Sequence, residues 1–237
     1  MEKPEYAYYE DIKSNSSAPW KISDVIFIYF CIFILSMIFM GSMLYANINI
    51  NANTYSIIFQ ALLSLSILVL IYLIVTQKYN MSFKDAFGIY FEKMPIFMRQ
   101  GIIVTAIMVG TTTLIGLAFS LFTGIESGNP YSEMPIEKFR WLTFLALFFA
   151  PIVEEFFFRG FMQPAIIKKT GVFSGILITA LIFGLSHFQY MDYTAAIISV
   201  TAIGLILGIV RYKTGSVMPG IFAHFFNNLL AIAHILY

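Results

Sequence analysis

Apolar residues in this chain come in long uncharged blocks separated by short polar, charge-bearing segments. Runs long enough to cross a hydrocarbon core, roughly 17 to 25 residues each, lie at Val25–Ala46, Tyr55–Val75 and Gly101–Phe122. Four more follow at Arg140–Phe161, Val172–Phe188, Tyr193–Val210 and Val217–Tyr237, some of them interrupted by polar residues. The pattern predicts an all-α fold: a polytopic integral membrane helical bundle of about seven transmembrane helices. The first run starts too late and is too long for a cleaved signal peptide, and it follows acidic Glu2, Glu5, Glu10 and Asp11 rather than a basic segment.

Lysine and arginine alternate between the loops, and this bias sets orientation. Lys3, Lys13 and Lys21 precede the first span; Lys78, Lys84, Lys93 and Arg99 follow the second; Lys168 and Lys169 follow the fourth; Arg211 and Lys213 follow the sixth. The alternate connections hold only Lys138, with Arg140 at the next span edge. The N-terminus is therefore expected in the cytoplasm and the C-terminus outside. Three parts follow: a cytoplasmic tail over 1–21, transmembrane helices 1 to 3 over 22–139, and a core of helices 4 to 7 over 140–237. Gly124–Pro135 reads as a long, turn-rich outer loop. Met81–Met98, with Phe83, Phe87, Ile89 and Phe91 among Lys and Asp, reads either as an amphipathic helix on the membrane interface or as a solvated linker.

The composition agrees, at 59% hydrophobic and 11% charged residues, against about 25% charged in a soluble domain. A net charge of +1 argues against nucleic acid as a partner. The lone cysteine, Cys31, supports neither a disulfide framework nor a thiolate metal site. The expected location is the cell membrane of a prokaryote.

Of the thirteen acidic residues, only Glu154 and Glu155 lie inside an apolar span. Charges at that depth cost a few kcal/mol each on insertion scales, so they mark functional positions. Glu155 and Arg159, four apart, share a helix face and can pair; Glu154, rotated about 100° away, has no cation one turn on. Pro151 removes a backbone donor just before the pair and is expected to bend the helix there. The other intramembrane polar groups are His187, His224, Asn227 and Asn228. His234 reads as helix-packing glue.

The fourth and fifth spans form a hairpin about Lys168-Lys169-Thr170-Gly171, and Glu154 and His187 are equally far from its centre, hence at equal depth. His224 and Asn228 would come from a third helix. One count conflicts: Glu154 and His187 stand some fifteen residues from their turn, about 22 Å, and His224 only about ten from the turn at Lys213-Thr214-Gly215. A carboxylate and an imidazole facing one water can activate it, while a second imidazole and an amide can hold the oxyanion formed when that water attacks a carbonyl. That is the chemistry of peptide hydrolysis.

In order, Glu154-Glu155-x-x-x-Arg159, Phe183-x-x-x-His187 and His224-x-x-x-Asn228 resemble the three motifs of the CAAX protease and bacteriocin-processing family, which includes the type II CAAX prenyl endopeptidases. The resemblance covers roughly Arg140–Leu230, with every motif position filled. It implies an intramembrane glutamic-type endopeptidase without a cofactor, in which Glu154 and His187 activate water, His224 and Asn228 form the oxyanion hole, and Glu155 and Arg159 organise the site. The implied partner is a peptide or protein substrate, either a prenylated CAAX terminus or a bacteriocin or signal-peptide precursor. Three alternatives stay open: a zinc hydrolase using Glu154, His187 and His224 as ligands, a transporter or proton relay, and a non-proteolytic bacteriocin-immunity protein.

Overall fold

The computed structural model of the chain describes residues 18–46, 52–125, 143, 145–190 and 192–236. The expected outer loop beyond Ile125 and the start of the fourth span, with Lys138 and Arg140, lie outside the described residues. Helix α1 is Ile22–Ala46 and α2 is Ala52–Leu73, which continues through a π-helical turn at Ile74–Lys78. A short α3 (Phe83–Phe87) and a 3-10 turn (Phe91–Lys93) lead into α4 (Met94–Thr123). A π-helical turn (Leu145–Phe149), α5 (Ala150–Glu154), a π-helix (Glu155–Met162) and α6 (Gln163–Thr170) then run on from one another. Helices α7 (Val172–Ser186), α8 (Thr194–Thr214) and α9 (Met218–Leu236) complete the described chain, in which no strand occurs.

Among the described residues, four stretches are long and apolar enough to cross a membrane: Ile22–Ser42, Ile57–Lys78, Phe83–Thr123 and Thr194–Thr214. Val172–Ser186 and Met218–Ala233 are apolar but shorter. Large exposed side chains such as Phe30, Leu65 and Leu117 on α1, α2 and α4 form an outward apolar face. In a bilayer that face meets lipid tails, so its exposure carries no penalty. The described residues are all-helical, and the molecule is an integral membrane protein.

The fourth expected span departs furthest from its sequence reading. It is broken into π, α and π segments, and it runs beyond Phe161 to Thr170. Pro151 and Pro164 each lack an N–H, so an unbroken i→i−4 ladder cannot pass through them. Between them the backbone takes the wider register in which the N–H of Gln163 bonds to the carbonyl of Phe158, five residues back. Such π segments are rare and concentrate at functional sites.

This π-helix occupies the middle of the bundle, in contact with α1, α2, α3, α7 and α8. Helix α9 lies along α4, α8 packs against both α7 and α4, and α6 doubles back along α7. At the basic end, buried Asp24 ties α1 to the end of α2, accepting from the Tyr79 hydroxyl at 2.6 Å and from Lys78.

Within Met81–Met98 the short helix Phe83–Phe87 packs into the bundle. Phe87 is fully buried and packs against Phe156 of the π-helix, with ring centroids 5.0 Å apart. The segment is clasped to the turn before α9: the Val217 N–H donates to the Phe87 carbonyl at 3.0 Å, and the Ser216 hydroxyl donates to the Gly88 carbonyl at 2.6 Å. Phe83 and Phe87 serve the core, whereas Phe91 stays exposed. Gly88 makes the clasp fit, because its φ is +65° and a Cβ there would stand 2.3 Å from the Gly215 carbonyl oxygen. Gly88→Ala is therefore expected to destabilise the protein by about 2 kcal/mol or more. A thermal melt in detergent checks this, and an unchanged midpoint would show that the clasp does not constrain the fold.

Candidate active site

Glu154 ends α5, and one of its carboxylate oxygens, Oε2, lies 3.9 Å from Nε2 of His187 and 3.9 Å from Nε2 of His224. That oxygen is buried and has no hydrogen-bond partner among the described residues. A separation of 3.9 Å is too long for a direct hydrogen bond and fits a bridging water. The three side chains, from α5, the end of α7 and α9, are brought to one point. Asn228 lies one turn beyond His224 on α9 and is half-buried.

Each imidazole is oriented through its other nitrogen. Nδ1 of His187 lies 2.8 Å from the carbonyl of Phe183, one turn back on α7. A carbonyl only accepts, so Nδ1 carries the hydrogen, and in the neutral ring Nε2 presents its lone pair to the site. Nδ1 of His224 lies 3.3 Å from Oε1 of Glu155. By the same reasoning it donates to the carboxylate, and Nε2 of His224 can then donate only when the ring is an imidazolium.

Glu155 and Arg159 are both fully buried and meet at 3.2 Å. None of the guanidinium nitrogens makes a hydrogen bond among the described residues, so this is a charge contact without hydrogen-bond geometry. The guanidinium instead lies over the Phe183 ring at 4.0 Å, a cation–π arrangement. Phe183 also meets the His187 ring edge-on at 4.7 Å and the His224 ring at 6.1 Å, which makes it the common platform of the site. Gly220 lets α9 approach the pair, since a Cβ there would stand 2.6 Å from Oε2 of Glu155.

The conflict of depths in the residue count is resolved by two local features. A π-helix advances less per residue than an α-helix, which shortens the path from the turn to Glu154. The His187 ring folds back over the last turn of α7 to reach Phe183, lowering Nε2 toward His224. With both in place, the three groups converge.

Trp20 is the residue that the sequence reading passed over. It is fully buried, donates from its indole nitrogen to the Phe161 carbonyl at 2.7 Å, and stacks on Phe161 at 5.2 Å. The segment before α1 thus braces the π-helix that carries Glu155 and Arg159. A tryptophan just ahead of a span reads as an interfacial anchor, and nothing in its sequence neighbourhood points to position 161.

Residues 136–230, the part of the chain that holds all of these site residues except Trp20, match the family model described as type II CAAX prenyl endopeptidase Rce1-like. The fold and the site therefore define a polytopic membrane protein whose C-terminal part is similar to the Rce1-like endopeptidases. The chain is 34% identical over 95 residues to "Uncharacterized protein YpbD" of Bacillus subtilis (strain 168), a match covering 40% of this chain and 44% of the relative. It thus spans less than half the length of that relative. No solved structure matches the chain.

Proposed function

We propose that the protein is a membrane-embedded endopeptidase of the prokaryotic cell membrane that hydrolyses a peptide bond with water activated by Glu154 and His187. The observation that carries this reading is the position of Glu154 Oε2, equidistant from two imidazole Nε2 atoms at 3.9 Å. A water held there gives one hydrogen bond to the Glu154 carboxylate and one to the lone pair of His187, leaving an oxygen lone pair free for attack. Glu154 takes the proton as the oxygen adds to the substrate carbonyl, and returns it to the leaving amine as the C–N bond breaks. Because Nδ1 of His224 serves Glu155, its Nε2 stabilises the oxyanion as an imidazolium. Two carboxylates and one guanidinium leave one negative charge in a low-dielectric site, and an imidazolium at His224 balances it. Asn228 supplies the second oxyanion donor.

The substrate is a peptide or protein, lipidated or not. Incubating the purified protein with a prenylated CAAX peptide and with unmodified leader peptides, followed by mass spectrometry, tests activity and substrate class together. Cleavage of either supports the reading. Cleavage of neither, in a protein that retains its fold, would leave the immunity or transport readings in its place.

One rival, a zinc hydrolase, rests on the residue types alone, two imidazoles and a carboxylate; among the described residues no group of three His, Cys, Asp or Glu is placed to hold a metal ion. The proposal here is metal-independent. Cleavage should persist after prolonged chelation; loss on chelation with recovery on adding zinc would reverse the assignment.

A further inference from the structure

Among the described residues, the Glu154 site is sealed on one side and open on the other. Toward the basic end of the bundle, every residue of the π-helix from Glu155 to Met162 is buried. Trp20, Phe87, Phe161 and Val217 are fully buried on that side, and Trp20 stacks on both Phe87 and Phe161. The cavity beside Trp20 and Gln163 has room for about 40 Å³, which suits water and no peptide.

Exposure returns in the opposite direction. Glu155 and Arg159 are 0% exposed, His187 17% and Glu154 23%. His187 caps the far end of α7, and its neighbours Ser186 and Phe188 are exposed, as is Asp192. At this same end a cavity of about 500 Å³ opens between α4 and the start of α8, lined by Thr112, Phe119, Asp192, Tyr193 and Ser199. Cavities of that size hold small ligands and can admit a short peptide segment. The Tyr193 N–H donates at 2.8 Å to the carbonyl of Tyr190, whose ring stacks on His187 at 5.9 Å.

Depth points the same way. Helix α7 starts just after Lys168-Lys169 and runs 15 residues to the site, about 22 Å. Against a hydrocarbon core of about 30 Å, His187 stands nearer the surface opposite the basic end. Lys78, Lys168, Lys169, Arg211 and Lys213 gather at the basic end, and such a bias assigns that end to the cytoplasm.

We propose that the active site opens on the outer surface of the cell membrane and takes exported peptide segments, not C-termini presented in the cytosol. A chain coming from the cytoplasm would have to part the layer of Trp20, Phe87 and Phe161. The substrate class rests on the peptidase reading; the side on which the site opens does not.

The test uses the full chain with Cys31→Ser, so that each added thiol stands alone, in sealed right-side-out and inverted membrane vesicles. His187→Cys puts a thiol in the site, Ser186→Cys puts one beside it, and Lys169→Cys puts one at the basic turn. Modification by a charged, membrane-impermeant thiosulfonate is read. The two site thiols are expected to react roughly tenfold faster or more in right-side-out vesicles, and Lys169→Cys in inverted ones, because the charged reagent does not cross the hydrocarbon core. Should His187→Cys fail to fold, Ser186→Cys carries the same reading. Site thiols that react equally or faster in inverted vesicles, or in neither preparation, would overturn the proposal. A peptide that the detergent-solubilised protein cleaves is then offered to both preparations. Cleavage confined to right-side-out vesicles supports an exported substrate, and equal or faster cleavage by inverted vesicles overturns it. A protein that cleaves no peptide in detergent fails as a peptidase, and the labelling still decides on which side the site opens.

Discussion

Replacing Glu154 by Gln is expected to lower peptide hydrolysis by about 10³-fold or more while leaving the melting temperature within a few degrees of wild type. The size follows from the role: a positioned general base contributes roughly 10²- to 10⁴-fold, and here the same group also returns the proton to the leaving amine. Stability should survive because Glu154 is no structural charge. Its side chain keeps 23% of its exposure, and its neighbours at 3.9 Å are two imidazoles rather than a dedicated cation. Gln has the same shape and still hydrogen-bonds. A variant that cleaves at the wild-type rate would remove Glu154 from the chemistry. One that fails to fold would mark it as part of the frame.

Glu155→Gln should behave in the opposite way, with a large loss of stability. Glu155 and Arg159 are both 0% exposed, and the carboxylate is the anion nearest the guanidinium, at 3.2 Å. Removing one partner of a buried ion pair leaves an uncompensated charge, at a cost of about 3–5 kcal/mol. For a chain of this size that corresponds to a drop of roughly 6–20 °C in melting temperature. The Phe183 ring at 4.0 Å softens the loss without replacing a carboxylate. Combining Glu155→Gln with Arg159→Met removes the stranded charge and should recover much of the stability. Hydrolysis should stay low in the double variant, because His224 still lacks the carboxylate that holds its Nδ1. Recovery of both stability and rate would mean that Glu155 acts only on Arg159.

The sequence carried the main elements of the site because transmembrane helices are simple rulers. Equal residue counts on the two arms of a hairpin put Glu154 opposite His187, and i, i+4 spacing paired Glu155 with Arg159. Both relations hold in the structure. The ruler failed wherever the backbone left the α-helical register. The missing N–H groups of Pro151 and Pro164 could be read from the chain, but not the π-helix that accommodates them, so the depth of Glu154 relative to His224 came out wrong. Contacts that depend on packing between distant segments were also out of reach. Trp20 on Phe161 is one, and the burial of Phe87 beneath the turn before α9 is another. Phe183 was recognised as a motif residue, and its service as a platform for Arg159, His187 and His224 became clear only in three dimensions.

The central claim is that Glu154 turns a water bound between His187 and His224 into the nucleophile for an amide bond. Its most direct test is mass spectrometry of peptide products formed in water enriched in ¹⁸O, for wild type and Glu154→Gln side by side. Expected is one ¹⁸O in the new C-terminal carboxylate of the wild-type product and almost no product from the variant. Equal labelled product from both proteins, or none from a folded wild type on any peptide offered, would contradict the claim.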